Sequence, residues 1–289
     1  MSIYRSDEGK ARILRLYDQS WAELNLALEH FQIPTRYGQT HVVVSGPHDG
    51  TPIVVFHGGN MISPISFAWI TSLTQTYRIY APDTVGHPGY SAETRLNPNS
   101  LQYGMWAADV LDGLRLDRPV VMGGSYGAGI LLNLAMHAPH KIGQGVLVVP
   151  SGFAPPPVMP LLMRIVVPML LYRLTKRREW LVRSLEPMCG QPNEAVLAVT
   201  DEVYRSVRLE AHMPRTVQPG DLQAYHAPTL VLAAEKDVLF PAPAVLRRAH
   251  QVIPNLAAGE VISDSTHFLP VDQWAGLCAR IDRFIRTAG

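Results

Sequence analysis

A serine at the centre of a Gly-x-Ser-x-Gly motif is the residue of this chain best suited to chemistry. Three apolar residues, Val120 to Met122, lead into the motif, and small or apolar residues with helical spacing follow it. This order predicts a strand, a sharp turn and a helix, with Ser125 at the apex. Glycine is expected at 123 and 127 because any side chain there would collide with a neighbouring strand or helix. The turn would present the Ser125 hydroxyl as a nucleophile beside the free amides of a helix N-terminus.

The motif is short, and alone it is also compatible with an ordinary glycine-rich turn, so the rest of the chain must supply a base and an acid. His267 follows the last predicted strand, and a histidine there can accept the serine proton because its ordinary pKa lies near neutrality. Asp237 follows an earlier strand and is expected to orient His267. Glu235 is the nearby alternative, and a solvated loop acid is the competing interpretation. The order serine, acid, histidine is typical of a strand-turn-helix nucleophile fold.

The segment His57-Gly58-Gly59-Asn60 is the candidate source of a second oxyanion donor. Its glycines would let the backbone approach the serine turn. The amide of Gly59, with that of Asn60 as the alternative, is expected to join the amide of Tyr126 in holding a developing oxyanion, at about 3–4 kcal/mol per donor. Asn60 and Tyr126 are also the candidate substrate contacts. His57 is expected to be a structural hydrogen-bonding residue rather than the general base.

Composition excludes several classes of function. The chain carries 25 Lys and Arg against 24 Asp and Glu, so its formal net charge is only +1 and nucleic acid is not an expected partner. Its 2 cysteines, Cys189 and Cys278, provide neither a disulfide framework nor a zinc site, which predicts a reducing cytoplasmic setting without metal or cofactor.

The N-terminal residues are polar and lack the apolar stretch of a signal peptide. The apolar run 158–172 is interrupted by two prolines and Arg164, so no stable membrane insertion is expected. The oligomeric state is left open, with a homodimer as one option.

Strand and helix patterns alternate along most of the chain. An amphipathic helix is predicted from about residue 6 to 30, ended by Pro34, so that residues 6–33 form an N-terminal helical extension. The predicted strands are 40–44, 53–56, 77–81, 120–122, 146–149, 229–233 and 260–262, and the clearest later helices are 101–114, 129–137 and 273–286. This alternation predicts an α/β fold with a doubly wound, mostly parallel sheet. No strand is predicted between residues 150 and 228, so residues 151–224 are predicted to form a helical cap inserted into a core of residues 1–150 and 225–289.

Taken together, these segments resemble the α/β-hydrolase superfamily over almost the whole chain. The resemblance rests on His57–Gly59, Asp83–Ser91, Gly123–Gly127, Asp237 and His267–Pro270. The chain is similar in particular to capped bacterial carboxylesterases with a helical N-terminal extension. The resemblance implies that Asp83 braces the fold and does no chemistry. Ala128 stands where many members have a second glycine, and alanine is small enough to preserve the turn.

A serine rather than an aspartate at position 125 excludes the chemistry of haloalkane dehalogenases and epoxide hydrolases. The prediction is a serine hydrolase that cleaves a carboxylic ester through a Ser125–His267–Asp237 acyl-enzyme mechanism. The alternatives are a lactonase or C–C bond hydrolase, a slow-turnover ligand receptor, and a non-hydrolytic natural-product cyclase on the same fold. The apolar segment 158–171 favours a small hydrophobic acyl or aryl ester, although most of its side chains are expected to pack the cap onto the core. Contact of this surface with lipid or a partner protein is a secondary interpretation.

Overall fold

The seven predicted strands and an eighth that was not predicted form one sheet in the computed structural model, which describes residues 2–288. The strands are β1 (Glu29–Thr35), β2 (Gly38–Ser45), β3 (Pro52–Phe56), β4 (Arg78–Pro82), β5 (Val120–Gly124), β6 (Gln144–Val148), β7 (Thr229–Ala234) and β8 (Leu256–Ile262). The helices are α1 (Asp7–Glu23), α2 (Ser63–Phe67), α3 (Gln102–Gly113), α4 (Tyr126–His137), α5 (Val158–Leu161), α6 (Val167–Thr175), α7 (Arg178–Cys189), α8 (Glu194–Ser206), α9 (Ala242–Val252) and α10 (Trp274–Thr287).

The sheet is mostly parallel, with strand order β1-β2-β4-β3-β5-β6-β7-β8. Only the pairs β1–β2 and β2–β4 are antiparallel among the described strands. The carboxyl ends of β3 to β8 therefore meet at one edge of the sheet, and the loops that follow β3, β5, β7 and β8 emerge there side by side. This is the edge at which open α/β sheets bind their ligands.

Helices cover both faces of the sheet because alternate residues of each central strand point in opposite directions. In β3, Ile53 and Val55 pack on the face covered by α1 and α10, whereas Val54 and Phe56 pack against α3 and α4. All four side chains are buried. Full burial of one large apolar side chain contributes about 1.5–3 kcal/mol, so both faces contribute to holding the serine turn in place.

The N-terminal helix is shorter than the sequence pattern predicts. Ser6 caps α1 by accepting a hydrogen bond from the Gly9 amide at 3.1 Å, and the helix ends at Glu23. The predicted continuation to residue 30 is wrong, and so is a wholly helical extension over residues 6–33, because residues 29–35 form the edge strand β1. Only Ile33 of that strand is buried, so its apolar pattern was too weak to separate strand from helix.

Two further helical regions escaped the sequence analysis. The short helix α2 and the 3₁₀ turns that follow it over Ala68–Gln75 connect β3 to β4. Helix α9 connects β7 to β8 and buries mainly small or β-branched residues, among them Val245 and Ala249. Helix α2 has only 5 residues and is too short to show a helical period, whereas the buried residues of α9, at positions 242, 245, 249 and 252, do have helical spacing that was not recognised in the sequence.

Between β6 and β7 the described residues form helices α5 to α8 and no strand of the sheet. The apolar run 158–172 lies in one helical segment from Val158 to Thr175, and the two prolines and Arg164 that interrupt its apolar sequence do not interrupt the helix. A π-helical turn at Leu162–Val166 precedes Pro168, which lacks the amide hydrogen that a regular helix would use there. By length and composition alone, with a mean hydropathy of 1.5, this segment could cross a membrane.

The N-terminal arm, defined as residues 3–5, lies against the chain that leaves α8. Tyr4 forms an antiparallel bridge with Val207, and the Arg5 amide donates to the Ser206 carbonyl at 2.8 Å. The amide of Arg208 donates to the carbonyl of Ile3, also at 2.8 Å. The start of the chain is thereby joined to the helical region between β6 and β7.

Candidate active site

Ser125 lies at the carboxyl end of β5 in a strained backbone conformation, with φ 52° and ψ −114°. A positive φ is uncommon for a residue with a side chain, so the surrounding contacts must hold it. The Ser125 amide donates to the Val148 carbonyl at 3.0 Å. Its carbonyl accepts hydrogen bonds from the Ser151 hydroxyl at 2.9 Å and the Ser151 amide at 3.2 Å. Both sides of the turn are therefore fixed to the end of β6.

The two glycines that flank the serine are required by close backbone approaches. A Cβ on Gly127 would lie 2.0 Å from the Phe56 carbonyl oxygen, and a Cβ on Gly123 would lie 2.3 Å from the Gly127 carbonyl oxygen. The predicted collisions are confirmed. Ala128 is completely buried, and its amide donates to the Ser125 carbonyl at 3.0 Å, so the methyl group fits where a glycine was expected.

The loops after β7 and β8 bring an aspartate and a histidine to the serine. His267 Nε2 lies 2.9 Å from Ser125 Oγ, and His267 Nδ1 lies 2.8 Å from Asp237 Oδ2. The other carboxylate oxygen of Asp237 accepts the amides of Leu239 at 2.8 Å and Phe240 at 3.0 Å. This arrangement suits the tautomer in which Nδ1–H donates to the carboxylate, which leaves Nε2 to accept the serine proton.

Glu235, the alternative acid, is directed elsewhere. Its carboxylate is exposed and accepts the Asp264 amide at 2.8 Å. Asp237 and His267 are both buried, whereas Ser125 is half-buried and reachable from solvent. Of the two acids considered, Asp237 is the one the structure brings to the histidine.

The loop after β3 leaves one amide free beside the serine turn. The Gly58 amide donates to Ser66 Oγ at 3.1 Å, and the Asn60 amide donates to His87 Nδ1 at 3.1 Å. The Gly59 amide, between them, meets no acceptor within residues 2–288. Because the amide of Asn60 already has an acceptor, Gly59 is the better placed of the two candidate oxyanion donors.

Gly59 packs directly on Tyr126. A Cβ on Gly59 would lie 2.9 Å from Cδ2 of the Tyr126 ring, so only glycine allows this approach. The Tyr126 amide is the first of α4 and, over the described part of the chain, also has no acceptor. The two predicted oxyanion donors thus belong to segments in contact with each other.

Two histidines support the loop and are held in the neutral form. His57 donates from Nδ1 to the Gly58 carbonyl at 2.8 Å and accepts the Thr84 amide at Nε2, at 3.0 Å, which matches the structural role expected for it. His87 accepts at Nδ1 and donates from Nε2 to the Tyr103 hydroxyl at 3.3 Å. Burial lowers the pKa of His57, and it lowers the pKa of His87 well below its ordinary value, with nearby His57 adding to the effect. His87 and Ser66 were missed in the sequence because their role depends on backbone amides that no pattern reveals.

The Asn60 side chain is tied to the segment after α8. Its Nδ2 donates to the Glu210 carbonyl at 2.9 Å, and its Oδ1 accepts the Glu210 amide at 2.7 Å. Arg95 lies 3.3 Å from the Glu210 carboxylate. We call this reciprocal pair of hydrogen bonds the Asn60–Glu210 clasp. The carboxamide that was predicted to contact substrate therefore has a protein partner, and the sequence carried no signal for Glu210.

Tyr126, the other candidate substrate contact, has a buried ring. The ring centroid lies 4.8 Å from that of His87 and 5.5 Å from that of Tyr103. Its hydroxyl is buried without a hydrogen-bond partner in the described residues, and burial raises its pKa. The substrate-binding roles of Asn60 and Tyr126 stay predictions.

Within residues 2–288, no group of three or more His, Cys, Asp or Glu side chains is arranged to hold a metal ion. Cys189 and Cys278 are both free thiols, and burial raises the pKa of each.

Comparison with known proteins identifies the family. The family model described as the alpha/beta hydrolase family matches residues 53–280 of the chain. The protein is an α/β hydrolase. The fold predicted from the sequence, a doubly wound and mostly parallel sheet, is confirmed.

Relatives of this α/β hydrolase align over nearly its whole length. Carboxylesterase YbfK of Bacillus subtilis (strain 168) is 24% identical over 279 residues, which cover 92% of this chain and 90% of that protein. A second protein of the same organism, described as the uncharacterized carboxylesterase nap, is 25% identical over 285 residues, covering 98% of this chain and 94% of that one. The crystal structure of naproxen esterase (carboxylesterase NP) from Bacillus subtilis has a TM-score of 0.82 at 24% identity and covers 97% of this chain and 99% of that chain. The resemblance to bacterial carboxylesterases holds along the full chain.

Proposed function

We propose that this α/β hydrolase is a serine esterase that cleaves carboxylic esters through a covalent acyl-enzyme. The continuous hydrogen-bond path from Ser125 Oγ to His267, at 2.9 Å, and on to Asp237, at 2.8 Å, carries the proposal. The carboxylesterase names of two relatives that align over 92% and 98% of the chain support it.

In the first half-reaction, Ser125 Oγ attacks the ester carbonyl carbon while its proton moves to His267 Nε2. The carbonyl oxygen becomes an oxyanion and accepts hydrogen bonds from the free amides of Gly59 and Tyr126. Asp237 stabilises the imidazolium through Nδ1–H. The intermediate then collapses, the C–O bond to the alcohol breaks, and the alcohol oxygen takes the proton from Nε2.

In the second half-reaction, water attacks the acyl carbon of the Ser125 ester and its proton moves to His267 Nε2. The same two amides hold the second oxyanion. Collapse of this intermediate breaks the bond to Ser125 Oγ, which takes the proton back, and the carboxylic acid leaves. No group besides the chain's own residues and water is needed to balance either half-reaction.

A hydrophobic acyl or aryl group is the substrate class that the surroundings of His267 favour. The ring of Phe240 lies 5.6 Å and that of Phe268 lies 6.0 Å from the imidazole, measured between centroids. Apolar helices α5 and α6 follow β6 on the same edge of the sheet. We also propose that residues 151–224 act as a cap over this edge and that the protein works in the cytoplasm.

The alternatives considered from sequence are not favoured. A lactonase or a C–C bond hydrolase would use the same serine, and a slow-turnover receptor or a non-hydrolytic cyclase would use the same pocket. The relatives that span nearly the whole chain carry carboxylesterase names, which support ester cleavage instead.

Hydrolysis of p-nitrophenyl acetate, butyrate and octanoate by the native protein and by Ser125→Ala tests the proposal. We expect the native protein to turn over many times and the variant to lose activity by about 10⁴-fold or more. Ser263→Ala, at an exposed position, serves as a matched control and should retain the native rate. A fluorophosphonate should add its mass to the native protein and not to Ser125→Ala. Undiminished turnover in Ser125→Ala, or a native protein that neither turns over nor takes the label, would refute the assignment.

A further inference from the structure

The helical segment Val158–Thr175 presents a large apolar face to solvent. Only 17% of it is buried, although its mean hydropathy is 1.5. Val158 is 74% exposed and Leu174 is 81% exposed. The exposed large apolar side chains of the segment are Val158, Met159, Leu162, Met163, Leu170 and Leu174. Four of these recur at intervals of four or eight residues, which places them on one side of the helix. Soluble monomers rarely leave such a continuous apolar surface without a partner.

The opposite side of the segment is attached to the body of the protein. Ile165, Pro168 and Tyr172 are buried, and the Tyr172 hydroxyl accepts a hydrogen bond from Arg205 of α8 at 2.9 Å. The segment therefore lies flat on the protein along its length. Its geometry suits a surface contact and not a transmembrane span.

Basic residues are the only charged residues of the segment and of the three positions that follow it, and two of them, Arg177 and Arg178, form ion pairs with Glu179 and Glu194. Between residues 158 and 178 the sequence has five basic residues and no acidic one. These residues are Arg164, Arg173, Lys176, Arg177 and Arg178. Neither Arg164 nor Arg173 has an ion-pair partner in residues 2–288. The pKa of Lys176 is lowered by partial burial and then by the nearby cations of Arg205, Arg173 and Arg5, which shows that positive charge is crowded at this end of the helix.

From this juxtaposition we propose that the segment Val158–Thr175 docks the protein on the surface of an anionic lipid bilayer. The helix would lie in the plane of the interface, with its exposed apolar side chains among the acyl chains and its basic side chains at the headgroups. Helices with an apolar face flanked by Lys and Arg bind the surfaces of anionic bilayers. A second copy of the chain is a poorer occupant, because symmetric pairing would bring two identical sets of cations together.

Docking in this way would turn the edge of the sheet that carries Ser125 toward the lipid. The segment begins seven residues after Ser151, whose hydroxyl is bonded to the Ser125 carbonyl at 2.9 Å. A hydrophobic ester dissolved in the bilayer would then meet the site without crossing water. The docking itself does not depend on the proposed esterase activity, and its test uses binding alone.

Co-sedimentation with large unilamellar vesicles tests the proposal. One set contains phosphatidylcholine alone, and the other contains phosphatidylcholine mixed with phosphatidylglycerol. We expect the native protein to sediment with the anionic vesicles, and to be released as salt is raised. Leu174→Glu should weaken binding by about tenfold or more, since it removes an inserted side chain and adds a negative charge. Arg164→Gln should weaken it by about fivefold.

Matched controls separate the segment from general effects of charge. Phe31→Glu changes an exposed apolar residue of β1, and Arg247→Gln changes an exposed arginine of α9, so both should bind like the native protein. Circular dichroism establishes that every variant is folded. Equal binding to neutral and anionic vesicles, or no binding to either, overturns the proposal. So does a dimer in sedimentation velocity that Leu174→Glu dissociates while vesicles bind nothing, because a second copy would then cover the helix.

Discussion

Two buried aspartates of this protein each hold a histidine, and the pairs differ in what the histidine meets next. Asp237 Oδ2 lies 2.8 Å from His267 Nδ1, and Asp83 Oδ2 lies 3.0 Å from His41 Nδ1. The second ring nitrogen of His267 faces the Ser125 hydroxyl. The second ring nitrogen of His41, Nε2, instead faces the imidazole of His30 and lies 3.1 Å from His30 Nδ1.

The surroundings of Asp83 are those of a structural brace. The carboxylate is completely buried and accepts hydrogen bonds from Ser63 Oγ at 2.6 Å, the Tyr17 hydroxyl at 3.1 Å and the Tyr90 amide at 2.9 Å. It thereby joins α1, α2 and the loop after β4, in agreement with the bracing role that the family resemblance implied. An aspartate–histidine pair is therefore not a catalytic device by itself. The Asp237 pair differs in having the Ser125 hydroxyl at the second nitrogen and free amides nearby, and on these two features the proposed esterase site depends.

The largest expected contrast comes from replacing each carboxylate by an amide. Asp237→Asn should lower kcat for p-nitrophenyl butyrate by about 10⁴-fold, because His267 loses the partner that fixes its tautomer. Asp83→Asn should keep kcat within a few-fold while lowering the free energy of unfolding by about 2–4 kcal/mol. Steady-state kinetics and urea denaturation of both variants measure the two effects. The exposed Asp112→Asn is the control and should change neither quantity. Full activity in Asp237→Asn would end its assignment as the triad acid.

Removing one hydroxyl that donates to Asp83 should also lower the free energy of unfolding without lowering kcat, and by less than Asp83→Asn does. Ser63→Ala takes away a buried donor to Asp83 and should lower the free energy of unfolding by about 1–3 kcal/mol without changing KM or kcat. The midpoint of urea unfolding and the rate with p-nitrophenyl butyrate give both numbers. A large loss of kcat in a protein of native stability would mean that the Asp83 pair takes part in the reaction.

The Asn60–Glu210 clasp adjoins Gly59, a proposed oxyanion donor, so its loss should lower the rate of the proposed reaction. Asn60→Ala should lower kcat about tenfold with little change in KM, because the neighbouring Gly59 amide is no longer held in position for the transition state. Asn60→Asp keeps the acceptor for the Glu210 amide and should recover part of the rate. If Asn60→Ala instead raises KM at constant kcat, the residue binds substrate, as the sequence analysis predicted.

The smallest expected effect is a pH dependence of stability caused by His87, a buried histidine without a carboxylate partner. Burial holds the pKa of His87 well below its ordinary value, so this residue stays neutral in the folded protein and takes up a proton only when unfolded. Stability should therefore fall as pH drops through the unfolded pKa, by about 0.7 kcal/mol between pH 7 and pH 6 for one such histidine. Urea unfolding of the native protein and of His87→Gln at both pH values measures this. An equal pH dependence in the variant would show that His87 does not contribute.

The parts of the site predictable from sequence are those with a local pattern. The turn at Ser125 has its glycines next to it in the chain, and the positions of Asp237 and His267 follow from the strands that precede them. The supporting residues Ser66, His87 and Glu210 have no such pattern, because they act on backbone amides of distant segments. Only the three-dimensional path of the chain brings them there.

The same reason explains the errors in the fold. Parallel central strands are apolar on consecutive residues, so they were recognised, and their bounds shifted by only a few residues. The edge strand β1 is largely exposed, so its composition does not distinguish a strand from a helix. It forms a strand because it pairs with β2.

The N-terminal arm described above has a consequence for the order in which the chain folds during synthesis. Residues 3–5 pair with residues 206–208, so their partner does not exist until some 200 residues later. Synthesis at roughly 5–20 residues per second makes this delay about 10–40 s. Helix α1 can meet β2 and β4 well before then, through Tyr17 and Asp83. Residues 3–5 are thus made well before the segment with which they form their final contacts.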